Sequence, residues 1–200
     1  MNILKAVFWD VDGTIADTEL DGHRVAFNRA FSDYDLDWCW TPSGYAALLK
    51  ISGGLNRIKF YNNLNKINIP DEICGKIQKR KQIHYQEIIN SGIIKPREGV
   101  VRLIKELASH NVKQYIVTTS GQASLKPLLA KILDSSINFF SGIISYEDVV
   151  KHKPNPEAYI KALSLCEFPV ENCLAIEDSI NGVMSAISAR VKCLMTPPTC

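Results

Sequence analysis

The chain carries no Cys-x-x-Cys pair, no internal repeat, no low-complexity tract and no apolar run as long as a membrane span. Each absence removes a class of protein. With 46% hydrophobic and 22% charged residues, the composition excludes a disordered, collagen-like or coiled-coil chain. An excess of one charge sign is missing too, since 23 Lys and Arg against 21 Asp and Glu leave a net charge of +2. That balance points away from nucleic acid and from acidic membrane surfaces. The longest basic cluster, Lys79-Arg80-Lys81, reads as a solvated helix face. The apolar start Ile3-Leu4-Lys5-Ala6-Val7-Phe8-Trp9 meets Asp10 too soon for a signal peptide. A cytoplasmic protein without membrane contact is expected.

A 200-residue chain builds its core without disulfide or metal staples. Cys39, Cys74, Cys166, Cys173, Cys193 and Cys200 therefore read as reduced small hydrophobes. His23, His84, His110 and His152 lack the spacing to join them in a zinc site.

What is present is alternation. Ala6–Trp9, Gln114–Val117, Gly142–Ile144, Leu174–Ile176 and Val191–Met195 are short apolar runs without polar alternation, as expected of strands covered on both faces. Between them lie helical periods, such as Val100, Leu103, Ile104 and Leu107, then Leu125, Leu128, Leu129 and Ile132, then Tyr159, Ala162 and Leu163. The pattern predicts an α/β fold, a Rossmann-like parallel sheet with helices on both faces. Residues 20 to 92 break it, reading as helices at about 20–32, 42–50, 54–66 and 71–90. Pro42 and Pro70 mark helix starts, and Gly53-Gly54 marks a turn.

Polar residues gather at the predicted strand ends. The first strand runs into Asp10-Val11-Asp12-Gly13-Thr14, where two close carboxylates repel unless a cation lies between them. Val117 leads to Thr118-Thr119-Ser120-Gly121, a hydroxyl-rich turn before a helix; hydroxyls and helix-start N–H groups suit a phosphate, and an ordinary N-cap is the simpler reading. Asp148 precedes Lys151-His152-Lys153-Pro154-Asn155-Pro156, in which two prolines restrict the backbone around Lys153. Ile176 leads to Glu177-Asp178-Ser179, acidic at a strand end and able to cap the next helix.

The order acid pair, hydroxyl, lysine, acid pair resembles the haloacid dehalogenase-like hydrolase superfamily over nearly the whole chain. The resemblance implies Asp10 as nucleophile, Asp12 as general acid and base, Thr118 as a phosphoryl ligand and Lys153 as the neutralising cation. It also implies Mg²⁺ held by Asp10, the Asp12 backbone carbonyl and Asp178, with Glu177 beside it. Residues 1–18 and 93–200 would form the core and residues 19–92 an inserted α-helical cap.

Asp17-Thr18-Glu19, Asp21 to Asn28, Leu36-Asp37-Trp38, the Gly53-Gly54 turn with Arg57, and Thr118-Thr119 are similar to the CbbY-like subgroup. That similarity implies a phosphatase of small sugar phosphates or bisphosphates, xylulose 1,5-bisphosphate among them. A monomer is expected. Glu19, His23, Arg24, Arg57, Thr119 and Ser120 would then contact substrate. A phosphomutase similar to β-phosphoglucomutase and a non-catalytic phosphosugar-binding protein are the alternatives. The sequence departs from the subgroup at Leu55 and Asn56, where lysine and glutamate are usual, and at Arg190, where glycine is usual. It also ends at Thr199-Cys200, soon after the last predicted strand, so one sheet edge is expected to be less covered.

Overall fold

The computed structural model describes residues 3–51 and 53–196; Thr199 and Cys200 lie outside them. In chain order the elements are β1 (Ala6–Trp9), a π-helical stretch (Glu19–Arg24), α1 (Val25–Ser32), α2 (Pro42–Leu48), α3 (Gly54–Leu64), α4 (Asp71–Ser91), α5 (Val100–Ser109), β2 (Lys113–Val117), α6 (Gln122–Leu133), β3 (Phe140–Ile144), α7 (Glu157–Cys166), β4 (Cys173–Glu177), α8 (Ile180–Ser188) and β5 (Lys192–Met195). They cluster into two compact units, one reaching Asp17 and resuming at Ile94, the other Thr18–Ile93. Among the described residues no helix is long and apolar enough to cross a membrane.

The first unit holds a parallel sheet in the order β3-β2-β1-β4-β5. β1 is central and buried throughout, which is why its sequence shows no polar alternation. Successive side chains point to opposite faces. Phe8 packs edge-on to Tyr115 at 5.8 Å and near Tyr159 of α7 at 6.2 Å. On the other face, Trp9 Nε1 donates to Gln114 Oε1 at 3.1 Å, and Gln114 Nε2 donates to the Ile104 carbonyl of α5 at 2.9 Å. Helices therefore cover both faces, and the buried amide is satisfied on both its atoms. The edge strand β5 is mostly exposed, with Leu194 and Met195 near half accessible.

Because β2 and β3 lie on one side of β1 and β4 and β5 on the other, chain direction across the sheet reverses beside β1. Crevices at the carboxyl ends of strands form at such a switch. Asp10, Thr118 and Glu177 stand at or just past those ends of β1, β2 and β4.

The second unit is helical around Phe27, Phe31, Trp38, Trp40, Tyr45 and Ile58. Leu55 packs against this cluster, which accounts for an apolar residue at that departure. Asn28 clamps Trp40 in both directions, accepting from its N–H at 2.8 Å and donating to its carbonyl at 3.0 Å. Pro42 opens α2, as the sequence predicts, and Thr41 caps it by accepting from Gly44 N. The first stretch is helical as expected, π-helical over Glu19–Arg24 and α-helical after it. One expectation needs correction. Lys81 does not lie on a solvated face: it is buried, with Nζ 4.9 Å from the Phe27 ring centre, 4.8 Å from that of Tyr85 and 2.7 Å from His23 Nδ1. Aromatic faces and an imidazole acceptor offset the loss of water around that ammonium.

Candidate active site

The centre of the site is Lys153. Its loop is pinned from both neighbouring helices: Glu157 accepts from the N–H groups of Val150 and Lys151 at 2.8 and 2.9 Å, and Ser185 Oγ donates to the Asn155 carbonyl at 2.6 Å. His152 stacks on Tyr146 at 3.9 Å. Lys153 Nζ then donates to Asp10 Oδ1 at 2.8 Å, to the Val117 carbonyl at 2.8 Å and to Glu177 Oε1 at 2.6 Å. Those three acceptors use the three N–H bonds of an ammonium.

Burial alone would push the Lys153 ammonium toward neutrality, but the Asp10 and Glu177 carboxylates outweigh it and raise its pKa. Burial, and then the Glu177 charge, raise Asp10 well above the usual carboxylate range, against the pull of Lys153. The site holds more carboxylate than ammonium.

Asp10, Glu177 and Asp178 each offer a ligand atom, and these lie within 4.8 Å of one another. Glu177 Oε2 is buried with no hydrogen-bond partner among the described residues. An all-oxygen donor set, surplus negative charge and an orphaned buried carboxylate oxygen fit a hard divalent cation such as Mg²⁺. Gly13 permits the close approach of its turn to Asp178. Its φ is +88°, and a Cβ there would stand 2.0 Å from Asp178 Oδ2.

The turn after β2 supplies the hydroxyls. Thr118 is buried, its N–H continues the ladder to the Ile144 carbonyl at 2.9 Å, and its Oγ1 accepts from Ser120 N at 3.0 Å. Ser120 Oγ donates to Asp12 Oδ2 at 2.5 Å. Thr119 is exposed. No hydroxyl caps α6: Gly121 is the N-cap, and the Glu147 carboxylate accepts from Gln122 N at 3.2 and 3.1 Å. The helix-start N–H that the sequence offered to a phosphate is thus met by a carboxylate of the chain itself. Ser179 does cap α8, accepting from Gly182 N at 3.0 Å.

The structure therefore brings together Asp10, Lys153, Glu177 and Asp178, and separately joins Asp12 to Ser120. Three contributors carry no motif signal. Tyr159 donates to Glu177 Oε1 at 2.5 Å, Gly182 lies against the same carboxylate, and Arg97 Nη1 donates to the Gly13 carbonyl.

The remaining candidates form clusters inside the helical unit. Tyr45 donates to Glu19 Oε2 at 2.6 Å, and Arg57 donates to Tyr45 Oη at 3.0 Å and to the Ile51 carbonyl at 2.9 Å. His23 stacks on Tyr85 at 3.9 Å beside Lys81. Arg24 donates to the carbonyls of Leu20 and Trp40, both at 3.2 Å.

The family described as haloacid dehalogenase-like hydrolase matches residues 4–190. This chain belongs to that family. Protein CbbY of Rhodobacter capsulatus is 36% identical over 196 residues, covering 97% of this chain and 86% of the relative. The plasmid-borne protein CbbY of Cupriavidus necator is 35% identical over 205 residues, covering 98% and 79%. The crystal structure of CbbY from Rhodobacter sphaeroides with phosphate superposes with a TM-score of 0.85 at 30% identity, covering 98% of this chain and 87% of that one. A mutant of that protein has been solved with xylulose-(1,5)-bisphosphate and matches to the same extent. The hydrolase is thus a CbbY-like phosphatase of the superfamily, which sets aside the non-catalytic reading of its sequence.

Proposed function

We propose that this hydrolase is a Mg²⁺-dependent phosphatase of a small sugar phosphate or bisphosphate, of the xylulose 1,5-bisphosphate type, working through an aspartyl-phosphate on Asp10. The observation that carries this reading is the Lys153 ammonium, buried and bonded at once to Asp10 and Glu177. It holds one oxygen of Asp10 and leaves the other to attack.

In the first half-reaction an Asp10 carboxylate oxygen bonds to phosphorus while the bond from phosphorus to the sugar oxygen breaks. Asp12 gives that oxygen its proton, and the alcohol leaves. In the second half, Asp12 takes a proton from water as the water oxygen attacks phosphorus. Inorganic phosphate departs and the Asp10 carboxylate is restored. Ser120 keeps Asp12 oriented for both transfers. Thr118 Oγ1 accepts from Ser120 N, which leaves its own proton to donate to a phosphoryl oxygen. Asp10, Asp178, Glu177 and the Asp12 carbonyl would hold Mg²⁺, which when bound offsets the charge of the phosphoryl oxygens.

The helical unit is assigned to substrate selection as the cap of this family. Glu19 and His23 carry groups suited to sugar hydroxyls, and the Arg57 guanidinium suits a second phosphate. Arg24, with bonds to two carbonyls, braces the π-helical stretch.

Phosphate release from xylulose 1,5-bisphosphate and a panel of sugar monophosphates, with and without EDTA, tests the proposal. Release that depends on Mg²⁺ and vanishes in a folded Asp10→Asn variant is expected. Wild-type turnover in that variant, or in thoroughly metal-stripped protein, would refute it, and isomer formation without phosphate release would assign a mutase instead.

A further inference from the structure

We infer that Tyr159 is a positioning residue of this site: with Lys153 it occupies one oxygen of Glu177, so that the other oxygen is the one presented to the cation. This rests on the reading of the acid cluster as a magnesium site.

Glu177 has two chemically equivalent oxygens in unequal surroundings. Oε1 accepts from Tyr159 Oη at 2.5 Å and from Lys153 Nζ at 2.6 Å. Oε2, equally buried, accepts from no group among the described residues. The terminal torsion of a glutamate is broad and two-fold, so nothing in the side chain itself selects which oxygen faces which way. The donors select it.

Lys153 spends one N–H bond on Oε1 and the other two on Asp10 Oδ1 and the Val117 carbonyl, each at 2.8 Å, so Tyr159 is the second donor to that oxygen. Tyr159 Oη, by contrast, donates to Glu177 Oε1 and to no other acceptor among the described residues.

The ring is fixed as firmly as the hydroxyl. Tyr159 is fully buried on α7, against Phe8 at 6.2 Å, with the Lys153 ammonium 5.5 Å from its ring centre. Gly182 of α8 makes room for the carboxylate as a whole, since a Cβ there would stand 1.9 Å from Glu177 Oε2 and 2.5 Å from Oε1. One helix thus supplies a donor to the first oxygen, and another leaves the carboxylate space to sit. Groups that hold a metal-binding carboxylate from behind typically change metal affinity by about 10–100-fold when removed.

The test is the Mg²⁺ dissociation constant of the metal-stripped full-length protein, measured by titration calorimetry, with folding checked by thermal melting. Tyr159→Phe is expected to raise the constant about tenfold. A folded Tyr159→Phe protein with the wild-type constant overturns the inference. Should that variant not fold, 4-fluorophenylalanine and 4-aminophenylalanine at position 159 replace it. Both fill the ring's place, and only the amino group donates. Weak binding in the first with recovery in the second is expected, whereas equal constants in both would show that Tyr159 serves packing alone. Failure of the wild-type protein to bind Mg²⁺ would instead remove the magnesium reading itself.

Discussion

Ser120 Oγ donates to Asp12 Oδ2 across 2.5 Å, joining the turn after β2 to the turn after β1. The contact spans more than a hundred residues of chain and fixes a carboxylate that has to give and then take a proton in the same place. General acid and base catalysis contributes about 10²–10⁴-fold, and a poorly aimed carboxylate forfeits part of that. Ser120→Ala is expected to lower kcat about tenfold with little change in KM, and Ser120→Thr to restore most of it. A Ser120→Ala enzyme with unchanged kcat would show that Asp12 is oriented by other means.

Lys153 lies between Asp10 and Glu177 with almost no access to water. Lys153→Met would leave two buried carboxylates facing each other. Breaking a buried ion pair by removing one partner costs about 3–5 kcal/mol. Metal-free Lys153→Met protein is therefore expected to lose stability on that scale in urea denaturation, and Mg²⁺ to return part of it by supplying the missing positive charge. Equal stability of the metal-free variant and the wild type would mean that the carboxylates are not both ionised.

Much of this site was legible because buried parallel strands leave continuous apolar runs whose ends are easy to locate. The apolar runs Ala6–Trp9 and Gln114–Val117 locate Asp10 and Thr118 at strand ends, and the structure puts them there. Position within a local pattern says little about distant partners, and the misreadings follow from that. Lys81 sits in a basic cluster whose local chemistry suggests solvent, yet its surroundings are Phe27 and His23, more than fifty positions away. The N–H of Gln122 is answered by Glu147, which no helix-start rule reveals. Tyr159 falls on an ordinary apolar helix period, and only its hydroxyl contact with Glu177 marks it out.

In the helical unit, Asp33 Oδ2 accepts from Arg80 Nε and, at 2.7 Å, from His84 Nε2. The Arg80 bond first, and the His84 bond second, hold its carboxyl below the ordinary range. A lowered folded pKa means that the unfolded chain binds the proton more readily. The stabilisation is thus complete above the unfolded Asp value of about 3.9 and is lost as pH falls through the lower folded value. Asp33→Asn should melt lower than the wild type at neutral pH, and the gap should close on acidification below about pH 4. Melting curves that stay a constant distance apart from neutral pH down to acid would rule out this linkage.

Arg190 follows α8 with φ at +62°, in the left-handed region. Its N–H donates to the Ile187 carbonyl at 2.8 Å, and the next N–H, from Val191, reaches back to the Ala186 carbonyl at 3.0 Å. This is the Schellman ending, which favours glycine at the position Arg190 occupies. The usual glycine of the subgroup therefore has a backbone reason, and the arginine departs from it at a cost. Holding a side-chain-bearing residue there costs roughly 1–2 kcal/mol, of which the greater freedom of glycine in the unfolded chain cancels about half. Arg190→Gly is expected to raise the stability of the first unit by about 0.5–1 kcal/mol in urea denaturation, without altering phosphate release. Arg190→Asn should fall between the two, because asparagine tolerates this conformation better than arginine. A glycine variant less stable than the wild type would mean that the exposed arginine side chain contributes more than its backbone strain removes.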